Sequence, residues 1–499
     1  MYPPWSPWNR SHASNLARTI LALSVVATAH FTAGCGVGAS TPAPTGNTNV
    51  LVLLSSTAND RLTQFELTLN SLTLTTAEGK STTLLASPEV SEFMHLNGAI
   101  EPLLTGTVSN GIYVSATASI GQSDFSCVAL DPAQGDIYDA TFAVPAPTSV
   151  TINLPSPLTI SGGSAALSLN LLVSNSETFQ QCFDQNIQSF AITPTFTLAP
   201  LSIAAQPTNS ANGKATGLHG SIAAIGSDGR TLTVTAAPAE IAFGTRPPTW
   251  QVSVGNGVSY QGVAGVSQLD VGLPVDMDVE VQQDGQLRLA RLAVYDTDTS
   301  ELSAKIGALI TVDENQPNQT GPTLAVYASE AFGTYAFFGG GPYFYFNNAV
   351  FQTSGQFANL LSLPFTASFD KLNMVPGQNV YLTTHTSSNQ GAYLPASTIT
   401  LLPQTINGTV SAVSTEGSFT VYTVILAPYD LFPALAVQPG QTTLLKNPNT
   451  VYVYADSSAQ MLNTSPIAAG GVFRFYGLVF NDSGTLRMDC AQVNDGVPE

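Results

Sequence analysis

Charge is what this chain has least of. Only 9% of its 499 residues are Asp, Glu, Lys or Arg, and 14 basic residues face 33 acidic ones, a formal net charge of −19. A surface this acidic repels nucleic acid and anionic lipid headgroups, which excludes a nucleic-acid partner. Ser, Thr, Asn, Gln and Gly must cover the exterior instead, as in exported β-proteins. Histidine is scarce too. His95, His219 and His385 lie far apart in no metal spacing and read as structural or surface residues. The four cysteines form no Cys-x-x-Cys or Cys-His pair, so neither zinc nor a redox centre is indicated. There is no Gly-x-Ser-x-Gly elbow, and Asn481-Asp482-Ser483-Gly484 reads as a hairpin turn. No apolar run reaches the roughly 20 residues of a membrane-spanning helix.

What is present begins at the N-terminus. Residues 1–34 contain no acid, Arg10 and Arg18 supply positive charge, and residues 19–29 form a short apolar stretch. That is the pattern of an export signal. Thr32-Ala33-Gly34-Cys35 resembles the lipobox of bacterial lipoproteins, with Thr32 where leucine is usual. The resemblance implies cleavage before Cys35, lipid on its sulfur and an acylated amino group. Three acyl chains hold a protein on a membrane, whereas one is marginal. Gly36, in place of aspartate, implies sorting to the outer membrane. The alternative is an ordinary secretory signal. Residues 35–49 are small, polar and proline-containing, a flexible tether.

Residues 50–201 read as one β-domain, because residues 65–74 alternate apolar and polar and Glu78-Gly79 turns them into a hairpin. Helical turns are expected at residues 98–104 and 177–187. Cys127 and Cys182 fall within this domain and, in an exported chain, are expected to pair as a disulfide; Cys490 is expected as a buried thiol in the last strand. The strand at 65–74, the Leu96-Asn97-Gly98 segment running to Leu103-Leu104-Thr105-Gly106, and Gly111-Ile112-Tyr113 resemble a β-sandwich family of unknown function found in bacterial surface lipoproteins. That family's opening Asp-Ala-Pro is replaced here by Ser56-Thr57-Ala58-Asn59-Asp60.

After a polar linker (202–216), the chain reads as three diverged copies of one unit, at 217–300, 301–404 and 405–499. Asp228-Gly229 and Glu416-Gly417 turn the opening hairpins of the first and third. Each unit then has a central strand, a turn ending in glycine (Gly272, Gly377, Gly470) and a closing hairpin with its own turn glycine (Gly285, Gly391, Gly484). The two glycines stand 13, 14 and 14 residues apart. This pattern resembles a second uncharacterised bacterial family of small OB-like β-barrels, which implies an all-β fold of one sandwich and three barrels in a row. OB-type barrels often bind oligonucleotides or glycans, but fold alone establishes neither.

Two clusters are candidates for binding. Asp296, Asp298 and Glu301 offer hard oxygen ligands at a junction between units, suited to calcium, and serve equally as a solvated linker. Residues 327–351 are rich in aromatics. Tyr335, Tyr343, Tyr345 and Phe346 are the candidate platform for a glycan or an envelope protein, the alternative being packing on a neighbouring unit. Asp276 and Asp278, alternating with Val275, Met277 and Val279, are expected on the wet face of a strand. The reading that follows is a lipid-anchored, non-enzymatic envelope protein with a structural or binding role. Carbohydrate or polymer capture for uptake or adhesion is the second reading, and a hydrolase the third.

Overall fold

Five consecutive apolar residues, Val50-Leu51-Val52-Leu53-Leu54, occupy the centre of the fold, and all five are buried. A strand that alternates can show one face to water; a continuous apolar run must be covered on both. The computed structural model describes residues 45–57, 62–130, 137–144, 149–176, 193–201, 214–238, 247–282, 285–294, 299–311, 322–331, 334–338, 343–357, 359–385, 393–428, 430–438, 440, 442–462 and 465–496. Within them the protein is all-β.

The apolar run lies in strand Asn47–Ser56, which pairs in parallel with Ser164–Leu171 and antiparallel with Glu101–Ser109. Phe196–Leu201 completes this four-stranded sheet. A second sheet is built on two long partners, Leu62–Thr76 and Gly111–Leu130, with Ser81–Leu85 and Glu89–Glu92 on the former. Val50, Val52 and Leu54 point into the core between the sheets, among Phe65, Leu67, Phe93 and Phe196. Leu51 and Leu53 point the other way, into a core shared with Leu218, Trp250, Met277 and Val279 of the next unit. Each such side chain taken from water contributes about 1.5–3 kcal/mol. The Trp250 indole N–H donates to the Pro102 carbonyl at 2.7 Å, so polar contacts follow the apolar ones across this joint.

The remaining strands fall into three sets with one pairing scheme. In the third set Gln404–Glu416, Phe419–Leu426, Thr450–Leu462, Thr485–Asp495 and Val472–Asp482 close into a barrel. The first and fourth strands in chain order pair, and the third and fifth close the ring in parallel. In the first set Lys214–Ile225 pairs with Pro274–Val281, and Thr249–Ser253 pairs in parallel with Leu287–Ala293. In the second, Thr299–Thr311 pairs with Asn379–His385, and Tyr343–Tyr345 in parallel with Tyr393–Pro395. The correspondence extends to detail. Each first strand slips register just after an apolar residue: Ile222, Ile306 or Val410. The carbonyl of that residue accepts from the amide of the turn glycine, Gly272, Gly377 or Gly470, at 2.7–2.8 Å. All three glycines have φ of 90–94°, a backbone open to glycine at little cost.

Three expectations need correcting. The helical turn expected at 98–104 gives way from residue 101 onward to strand Glu101–Ser109, which pairs with the central strand. Asp276 and Asp278 are buried, not wet: another unit covers their face. The three strand sets do not stand apart in a row. The sandwich touches both the first and the third set, and Leu478 and Phe480 of the third lie in the core of the second.

Candidate functional site

Two buried charge clusters mark the joints. The first grows from residues 92–101. The Glu92 carboxylate accepts the backbone amides of Phe65 (3.0 Å), Met94 (2.8 Å) and His95 (3.0 Å), which folds the chain into a tight turn behind it. The turn brings the imidazole back over the same carboxylate. His95 Nδ1 lies 3.1 Å from Glu92 Oε2, and Nε2 lies 2.8 Å from Glu101 Oε2. Glu66, fully buried, stands opposite Glu92 across the ladder. Burial works against charge on His95, but Glu101 and then Glu92 outweigh it and push the imidazole up to about 9. Burial, reinforced by Glu101, brings Glu89 up to about 7.

The far side of this loop receives the third unit. Arg474 Nη1 donates to the Ser56 carbonyl (2.5 Å) and approaches Asn97 Oδ1 (3.4 Å), while its Nε donates to the Asp495 carbonyl (3.0 Å). Thr405 donates to the Asn97 carbonyl; Gln492 and Asn494 donate to that of Gly98. Gly98 has φ of 74°, and a Cβ there would lie 2.5 Å from Thr405 Oγ1, so the Leu96-Asn97-Gly98 segment is shaped for this contact.

The second cluster joins the first unit to the second and third. Arg291 Nε and Nη2 donate to Asp278 (3.0 and 3.1 Å), and Nη2 also donates to Asp276 (2.9 Å). Asp278 further accepts the Gly217 amide (2.9 Å), and His219 lies 3.9 Å from Asp276. Tyr476 of the third unit reaches in; burial first, then the two aspartates, raise its hydroxyl pKa.

The outer face of the closed barrel is strapped by the segment holding Leu363, Phe365 and Ala367, which packs on Phe419, Val421 and Tyr454. Arg487 sits among rings there, 5.6 Å from Phe365 and Tyr454 and 5.9 Å from Tyr452, and pairs with Asp482 at 2.9 Å. Nearby, burial and Asp456 raise Asp489 to about 7.

Of the residues singled out from sequence, Phe346 is core. Tyr343 and Tyr345 are half-buried, on a strand whose Phe344 is core. Tyr335 lies in strand Thr334–Phe338, which packs against Leu62–Thr76 of the sandwich; its side chain is outside the description. Cys35, Cys182, Asp296 and Asp298, and the side chains of Cys127 and Glu301, are outside it as well. So is the helical turn expected at 177–187. Among the described residues no group of three His, Cys, Asp or Glu is arranged to hold a metal. Cys490 is a buried thiol in the last strand, and Ser483-Gly484 forms the closing turn, with φ of 52° and 87°. The glutamate–histidine cluster escaped the sequence reading because its members span residues 66–101 with no fixed spacing. No protein family, curated protein or solved structure matches this chain.

Proposed function

We propose that the protein is an exported, lipid-anchored envelope protein, attached through Cys35 at the outer membrane, whose folded part is a non-enzymatic platform with a structural or binding role. In this reading the three strand sets are diverged copies of one barrel mounted on a lipoprotein sandwich, as the two family resemblances imply. The observation that supports it is the sharing of cores: Leu51 and Leu53 of the sandwich pack into the first unit, and Leu478 and Phe480 of the third pack into the second. Units joined this way move as one body and hold their outer faces in fixed relation, which suits a scaffold or a display surface. The conspicuous buried charges are committed to the same joints.

Carbohydrate capture is the second reading. It rests on half-buried Tyr343 and Tyr345, whose rings flank the buried Phe344. The first test is Cys35→Ser, which is expected to move the protein from the detergent phase to the aqueous phase or leave it uncut. Unchanged partitioning refutes the anchor. The second is a glycan array and pull-down with residues 48–499, repeated with Tyr343→Ala and Tyr345→Ala. Any affinity that survives both substitutions removes this strand as the binding surface.

A further inference from the structure

The loop 93–100 is held from two sides. From the sandwich, Glu92 and Glu101 bracket the His95 ring at 3.1 and 2.8 Å. From the third unit, Thr405, Gln492 and Asn494 end on the carbonyls of Asn97 and Gly98, and Arg474 on Ser56 and the Asn97 side chain. Ser56 is itself bonded to the loop, through Leu96 and Phe93. An imidazolium donates from both nitrogens and satisfies both carboxylates. A neutral imidazole donates from one only, so its other nitrogen turns a lone pair towards a carboxylate oxygen. The bracket therefore holds only with the ring protonated.

We propose that His95 is a proton-operated clasp: while protonated it ties Glu92 to Glu101 and keeps the loop in the shape on which the C-terminal barrel docks, and losing that proton releases the loop and its grip on the barrel. The charged groups around it come from four other or adjoining strands. Glu89 and Glu92 belong to Glu89–Glu92, Glu101 to Glu101–Ser109, Glu66 to Leu62–Thr76, and Arg474 to Val472–Asp482 on the loop's far side. Carboxylates outnumber the cations, so deprotonating the ring leaves the loop on a surplus of negative charge. Folding raises the imidazole from 6.5 to about 9. The clasp is therefore fully closed below about 6.5 and is lost as pH rises through about 9.

The test is amide exchange of the full-length chain, read on peptides covering residues 93–100 and corrected for the intrinsic base-catalysed rate. Between pH 5.5 and 9.5 loop opening is expected to rise roughly 200-fold. In His95→Gln it should already be fast at pH 5.5 and should lose the rise through pH 9, keeping at most the smaller change near pH 7 that Glu89 supplies. The Gly217 amide, bonded to Asp278 at the other joint, should stay level in both proteins. A response driven by Arg474, which burial brings down to about 10, would survive in His95→Gln and so overturn the proposal. A level wild-type profile overturns it too. Should His95→Gln not fold, the ring resonances of wild-type His95 decide: a midpoint above 8 supports the clasp, and one near 6.5 ends it.

Discussion

The two buried clusters solve one problem with different cations. At the joint between units, Asp276 and Asp278 share Arg291, whose planar fork meets both and keeps its charge across the accessible pH range. In the sandwich, Glu92 and Glu101 share His95, a cation that can be switched off. The first joint is a permanent fastening and the second a conditional one. The titratability of the central cation, not the shared arrangement of two carboxylates around it, decides the pH behaviour.

Arg291→Met should show the difference most strongly. It strands two buried carboxylates and should cost about 3–5 kcal/mol in urea unfolding at pH 7. A loss under 1 kcal/mol would mean that water already reaches that joint. His95→Gln should cost about 2–3 kcal/mol at pH 6 through its two charge-assisted hydrogen bonds, and almost nothing near pH 10. Equal losses at both pH values would erase the contrast between the joints. Glu89→Gln should go the other way. A carboxyl raised to about 7 contributes stability that is complete below about 4.5 and lost as pH rises through about 7. The amide should therefore gain about 1 kcal/mol at pH 8 and nothing at pH 4. The smallest effect is expected at partly buried Arg487, where alanine should cost about 0.5–1 kcal/mol through its ring contacts. A larger loss would show that the strap across the barrel depends on that one side chain.

Much of the architecture was legible because it is written in turns. Gly79, Gly229 and Gly417 all stand at φ of 60–80° in the hairpins expected of them, and Gly272, Gly377 and Gly470 each stand at φ of 90–94° in the turns expected of them. What stayed hidden depends on what one unit lays over another. Asp276 and Asp278 alternate with apolar neighbours just as a solvated strand would, and only Arg291 on the next strand and Tyr476, far along the chain, show that their face is dry. The run 50–54 requires burial on both sides, but nothing local to it names the covering partner. The aromatic stretch was ambiguous for the same reason. Its strand places Phe344 and Phe346 in a core and leaves Tyr343 and Tyr345 between core and surface.

The central strand also has a mechanical consequence. Asn47–Ser56 is flanked along its length by Ser164–Leu171 and Glu101–Ser109, and its far end is held where Arg474 grips the Ser56 carbonyl. Tension applied at Asn47 runs along the strand, across both ladders at once, so the bonds are loaded in shear and do not open one after another like a zipper. Beyond Ser56 the load is shared between the Arg474 guanidinium, which leads to the Asp495 carbonyl, and the loop bonded to Ser56, on which Thr405, Gln492 and Asn494 end. A molecule pulled by its N-terminal end should resist as a bolt does, yielding late and all at once.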